Sequence, residues 1–252
     1  MSEKFGHSFH RSAGVRRIVT IAGAVAFRWA PPGSYVKGSP ESEEGRVDDG
    51  SETQRKAVVT QGFWLAETPT TQRLWKDVTG RNPSRFQEDD LRPVECVSWY
   101  DCQEFIELLN FQKLPGAGVF RLPTEIEWEY ACRAGTRTAY PWGNALNGDM
   151  ANCDGRYPCG TTKRGRYLGT TSRVGSFPAN PWGFFDMNGN VEEWCDDKYF
   201  GSFGDEDVSL RVYRGGSWRS RAQECRSASL TIFEPDIEND DVGFRLVMTD
   251  AS

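Results

Sequence analysis

The sequence predicts an α+β domain with few helices and long irregular loops. Three observations carry that prediction. Only two segments bear strong helix-start signals. From Gly135 onward, more than a hundred residues show no convincing helical period and are dense in Gly, Asn, Asp, Pro and aromatics. The apolar content is weighted towards rings, with nine Trp, fifteen Phe and eight Tyr against few long aliphatic runs, so the core rests on aromatic anchors.

Residues 1–14 read as a disordered leader, and residues 15–252 as a single domain without internal repeat or linker. Residues 15–40 read as two strands split by the turn signal Pro31-Pro32-Gly33. The acidic stretch Pro40 to Gln54, with Gly45 and Gly50, reads as a surface loop, and QGFWLAETPTT as a strand leading into a short helix near Thr70 or Thr71. Ser98-Trp99-Tyr100-Asp101 opens a helix with Cys102, Phe105, Leu108 and Leu109 on one face. Thr124 and Glu127 form a T-x-x-E capping box, Trp128 and Ala131 face the core, and Gly135 suits the residue just past the helix end. The long looped region that follows must be tied down by hydrogen bonds or ions, and function is expected there.

Composition excludes several classes. A net charge of −6 leaves no basic footprint for nucleic acid or an anionic membrane. No stretch approaches the roughly 18 apolar residues of a membrane helix. The run Ile18 to Phe27 alternates and contains Thr20 and Gly23, as a first strand does, rather than forming a signal segment. Seven cysteines, an odd number without an evident signal peptide, point to reduced thiols in a cytoplasmic protein, or a surface-exposed one if a signal was removed. Cys153 and Cys159 are too far apart for a CxxC zinc site. The only histidines, His7 and His10, lie in the polar leader, which excludes a histidine base or His-rich metal centre in the core.

Eight segments then fall into one pattern: PPGSYVKGSP (31–40), PVECVSWYDCQEFIELLN (93–110), FRLPTEIEWEYACRAG (120–135), YPWGN (140–144), GFFDMNGNVEEWCDD (183–197), RVYRGGSW (211–218), CRSA (225–228) and VGFRLV (242–247). In this order, over nearly the whole chain, they resemble the sulfatase-modifying-factor family of formylglycine-generating enzymes. The resemblance implies a C-type lectin-like fold of that subtype. The family hosts copper-dependent oxidases, the C-terminal portion of iron-dependent sulfoxide synthases, and binding proteins diversified by retroelements, so the fold alone does not give the function.

Each subclass implies particular residues. The oxidases bind copper(I) through two cysteines five residues apart after the GGS motif, a sensible linear thiolate site for a soft ion. Aligned on Gly215-Gly216-Ser217, the first cysteine is replaced by Ser220 and the second is Cys225. A serine hydroxyl is a hard, poor ligand, so copper is not expected, and Cys225 is a catalytic candidate only if the chain is a divergent oxidoreductase acting on a cysteine or small thiol. The iron ligands of the sulfoxide synthases come from a histidine-bearing helical domain that this sequence does not contain. By position, the family's calcium loop implies Asp186, Gly189, Val191 and Glu193 as ligands of a structural Ca²⁺. A second family site implies Asn152 and the carbonyl of Cys153, but its aspartate is replaced by Gly165 or a nearby basic residue.

Between RGGSW and GFRLV lies RSRAQECRSASLTIFEPDIENDD, with apolar residues set in an acidic loop. The resemblance implies that diversified relatives place their variable residues here, on the ligand-binding face. Adenine-directed mutagenesis of AAY codons gives NNY codons, which exclude Glu, Gln, Lys, Met and Trp. Arg219, Ser220, Arg221, Leu230, Thr231, Ile232, Phe233, Ile237, Asn239, Asp240 and Asp241 are compatible with such variation; Gln223, Glu224, Glu234 and Glu238 are not. The reading that results is a monomeric recognition protein whose variable surface at 219–241 takes a protein or peptide ligand.

Overall fold

The computed structural model describes residues 12–21, 24–203 and 206–250. Most of the expected leader, with His7 and His10, lies outside the described residues. Gly14 is held to the domain, its N–H donating to the Trp29 carbonyl and its carbonyl accepting from Arg28.

Three strands, not two, occupy the first segment: β1 (Arg16–Thr20), β2 (Ala24–Ala30) and β3 (Gly33–Lys37). The alternation of Ile18 to Phe27 continues across a reversal after Ile21, so one apparent strand is an antiparallel pair. β3 pairs with β4 (Arg55–Val59), a strand that sequence patterning misses because its Arg55-Lys56 start is polar and exposed. β5 (Phe63–Ala66) is buried throughout.

The helices follow their local signals. α1 (Gln72–Thr79) is capped by Thr71, whose hydroxyl accepts from the Leu74 N–H, and ends at Gly80 in the left-handed region. α2 (Trp99–Phe111) and α3 (Glu125–Arg133) each start in a complete capping box, from Ser98 with Asp101 and from Thr124 with Glu127. Cys102, Phe105 and Leu109 are buried as expected, whereas Leu108 is exposed. The helical period sets a stripe, and Leu108 falls just off it.

β6 (Phe120–Arg121) and β11 (Val247–Met248) complete a five-stranded sheet ordered β1-β2-β5-β11-β6. Phe27, Trp64 and Met248 of this sheet share one core with α1 and α2, where Trp75 lies parallel to Phe105 at 5.0 Å and Phe244 meets both edge-on. Burying each such ring contributes about 2–3 kcal/mol. A second, four-stranded sheet is ordered β10-β7-β8-β9, built on the long hairpin of β7 (Glu192–Phe203) and β8 (Glu206–Arg214). β9 (Leu230–Phe233) pairs with β8 at one edge, and β10 (Val242–Gly243) runs parallel to β7 at the other.

From residue 134 to 191 no helix forms, as the sequence predicts, and the strands expected in this looped β region begin only at β7. Hydrogen bonds hold this loop region together. Asn180, for example, donates to the carbonyls of Ala131 and Cys132 and accepts from the N–H groups of Trp182 and Phe184. All seven cysteines are free thiols. No helix among the described residues is long and apolar enough to cross a membrane.

Candidate functional site

The loop from Asp186 to Glu193 turns into β7 and is built around a buried ion pair. Both Glu193 oxygens meet the Arg245 guanidinium, Oε2 to Nε and Oε1 to Nη2, each at 2.6 Å, and both side chains are fully buried. The Trp128 indole N–H donates to Glu193 Oε2 at 2.7 Å. Arg245 also donates to the carbonyls of Ala66 and Phe185. A buried charge is tolerated only when paired in this manner. Asp186 accepts from the Gly175 N–H at 2.7 Å, and burial pushes its carboxyl up to about 6. The Gly189 carbonyl accepts from the Val191 N–H.

Ca²⁺ takes six to eight oxygens, from carboxylates, carbonyls and water, and this donor set fits it poorly. The guanidinium already takes both oxygens of Glu193. No cluster of three His, Cys, Asp or Glu able to hold a metal is found among the described residues. At the second implied site, Asn152 Oδ1 and Thr171 Oγ1 are buried without partners, but no carboxylate joins them. The Cys153 carbonyl is taken by the Gly155 N–H. A Cβ on Gly165 would stand 1.8 Å from the Asn147 carbonyl oxygen, so an aspartate has no room there.

The stretch after β8 folds inward before it reaches the surface. Gly216 adopts φ +67°, and a Cβ there would lie 2.6 Å from the Cys225 sulfur, which accounts for the glycine pair before Ser217. Ser220 Oγ accepts from the Ser217 N–H at 3.0 Å, and the two hydroxyls lie 3.1 Å apart. Ser217 Oγ in turn donates to Asp241 Oδ2 at 2.9 Å. Cys225 is fully buried; its hydrogen bond with Cys153, together with burial, raises the thiol well above its ordinary value. The Ser220 hydroxyl therefore belongs to a serine–aspartate chain and the Cys225 sulfur to a thiol pair.

Of the eleven residues the sequence nominated for ligand contact, the structure divides three from eight. Ser220, Asp240 and Asp241 are buried and serve the fold. Asp240 takes Arg85 and Arg219, and its carbonyl accepts from the Trp218 indole. Arg219, Arg221, Phe233 and Asn239 are exposed, while Leu230, Thr231, Ile232 and Ile237 are half-buried. β9 places Thr231 opposite Tyr213 and Phe233 opposite Arg211, and the Phe233 ring stacks on Tyr213 at 5.5 Å. Leu230 and Ile232 pack against the core that holds Trp128 and Val212.

Sequence reasoning missed Glu192, whose Oε1 accepts from the Thr231 hydroxyl at 3.4 Å. Burial, then the nearby Asp241 carboxylate, pushes Glu192 up to about 8. The two adjacent acids at 192 and 193 gave no hint that one would be bound by arginine and the other left protonated near neutrality. Alternation along β7 is the signal that separates them, because neighbouring residues face opposite sides of a strand.

The chain is similar to known proteins over most of its length. Residues 22–250 match the family model described as a sulfatase-modifying factor enzyme 1-like domain. The chain is 32% identical to a Bos taurus protein named inactive C-alpha-formylglycine-generating enzyme 2, aligning 73% of this chain with 58% of that one. It is 31% identical to the formylglycine-generating enzyme of Mus musculus, over 80% of this chain and 55% of the enzyme. The chain thus spans little more than half the length of these two relatives. The solved structure of Treponema denticola variable protein 1 superposes with a TM-score of 0.73 at 23% identity, over 93% of this chain and 99% of that one, and so shares the fold. By its family match over nearly its whole length, this chain belongs to the sulfatase-modifying-factor enzyme 1-like family.

Proposed function

We propose that this chain is a ligand-recognition protein whose exposed C-terminal fringe is diversified by a retroelement. The observation that carries this reading is the division within 219–241. Buried members lock the segment to the scaffold, while Arg219, Arg221, Thr231, Ile232, Phe233, Ile237 and Asn239 keep part or all of their side chains accessible. A rigid frame with exchangeable outer side chains lowers the entropy cost of binding and suits a protein or peptide ligand. The fold shared with Treponema denticola variable protein 1, and a relative named as inactive, support the same reading.

An oxidoreductase acting on a cysteine or small thiol draws no support from the site. Its remaining candidate, Cys225, is sealed from solvent with a raised thiol, and a reactive cysteine needs the opposite environment.

Sequencing the DNA downstream of the coding region tests the proposal. A near-copy of the 211–247 segment, differing at template adenines and adjoining a reverse transcriptase, is the expected result. A locus with neither feature removes diversification from the reading.

A further inference from the structure

A cavity of about 340 Å³ opens beside β2, β5 and the start of α1, and none of the described residues of 219–241 lines it. This volume falls within the roughly 300–1,000 Å³ of small-molecule sites. Its wall is largely apolar: Ile21, Leu74 and Leu246 are buried, while Val25, Val174 and Phe185 keep part of their surface accessible. Water against such a wall is displaced favourably by an apolar ligand.

The wall is also preformed, because backbone hydrogen bonds tie together the segments that build it. The N–H of Glu67 donates to the Ala26 carbonyl, that of Phe185 to Glu67, that of Thr70 to Phe244 and that of Val174 to Leu91, at 2.8–3.0 Å. A site held open in the free protein costs little ordering when it is filled.

One polar group on this wall has no partner. Thr70 is 4% exposed and its hydroxyl forms no hydrogen bond, although both of its backbone groups are engaged, the carbonyl accepting from Val94. Among the described residues that line the cavity, it alone carries a buried polar atom left unsatisfied. Such a group has given up water and received nothing in exchange, which folded proteins rarely tolerate. Charge at the mouth, by contrast, is internally balanced. Arg16 and Arg28 hold Glu67 at 2.8 and 2.9 Å, Arg73 holds both oxygens of Asp90, and Asp77 lies one turn along α1 from Arg73. Three guanidiniums answer three carboxylates, so an ionic ligand would give up its hydration with no net charge to meet it.

We propose that this cavity binds an uncharged, largely apolar small molecule whose carbonyl accepts a hydrogen bond from the Thr70 hydroxyl. The hydroxyl has one proton to give, which a single acceptor satisfies. The apolar body of the ligand packs against Val25, Val174 and Phe185. The site goes beyond the recognition reading and stands whether or not 219–241 is diversified.

The test is a fluorescence titration of the full chain with Prodan, an uncharged naphthalene ketone, beside the anionic dye anilinonaphthalene sulfonate. Prodan binds saturably with blue-shifted emission and raises the thermal midpoint. Thr70→Val keeps the shape of the side chain and weakens Prodan about tenfold. The midpoint of that variant without ligand does not fall, because the hydroxyl has no partner in the chain to lose. Val174→Trp, at a half-buried position, fills the mouth and abolishes saturable binding. No saturable binding to the unmodified chain, or unchanged affinity in Thr70→Val or Val174→Trp, overturns the proposal. Anilinonaphthalene sulfonate competing with Prodan at equal affinity overturns the assignment of an uncharged ligand.

Discussion

The Asp186–Glu193 loop and the 219–241 segment are the two regions that the sequence singles out, and they resolve in opposite ways. In the first, charge is drawn inward: Glu193 and Arg245 are both fully buried and satisfy each other. In the second, the buried members form an inner row of serine and aspartate, and arginine, apolar and amide side chains remain on the outside. The same residue types thus do different work according to whether their partners lie within the chain. A paired buried charge is a structural element. A guanidinium at the surface with unused donors is available to a ligand.

The largest effect expected from breaking this contrast is on the loop. Glu193→Ala leaves the Arg245 guanidinium buried without its carboxylate and costs about 3–5 kcal/mol in chemical denaturation. Retained stability in that variant breaks the structural assignment. The pH dependence of stability probes the boundary between the two regions. Glu192 has a folded value of about 8 against an ordinary 4.5, so the folded state holds its proton more tightly than the unfolded state. Its contribution is fully present below about pH 4.5 and is lost as pH rises towards about 8. The thermal midpoint falls over that window, and Glu192→Gln flattens the slope.

Smaller effects sharpen the division inside 219–241. Ser220→Ala removes one acceptor from a buried chain and costs about 1 kcal/mol, without changing ligand affinity. Phe233→Ala and Arg221→Ala move stability by about 0.5 kcal/mol or less, and weaken binding of any ligand recognised by this face. The smallest expected effect is that of calcium. Adding Ca²⁺ or a chelator shifts the thermal midpoint by about 1 °C or less, because no ligand set in the loop gains from the ion. A rise of several degrees with calcium restores the metal reading of Asp186, Gly189, Val191 and Glu193.

The extent to which each feature could be read from sequence follows its range. Ser98 with Asp101 and Thr124 with Glu127 are three residues apart, so the hydrogen bonds that start α2 and α3 are set by adjacent chain. The missing β4 and the split of the first strand arise where pairing, rather than pattern, decides. At the site, the nomination of Ile232 and Phe233 survives as an accessible edge of β9, because apolar residues in an acidic loop already mark that stretch. Ser220, Asp240 and Asp241 do not survive as surface residues. Their inward partners, Ser217 and Trp218, are neighbours of Ser220 alone and reach the aspartates only through the returning chain.

By itself the sequence determined the helix caps, the aromatic character of the core, the loop-rich stretch after α3 and the presence of Ser220 rather than a cysteine five residues before Cys225. Each is either a local chemical preference or the identity of a side chain. Only the tertiary structure decided that Glu193 answers to Arg245, that Cys225 faces Cys153, and that Arg85 joins Asp240 across 155 residues. Burial and long-range pairing set the charge state and accessibility of those groups, and neither is written in the spacing of residues along the chain.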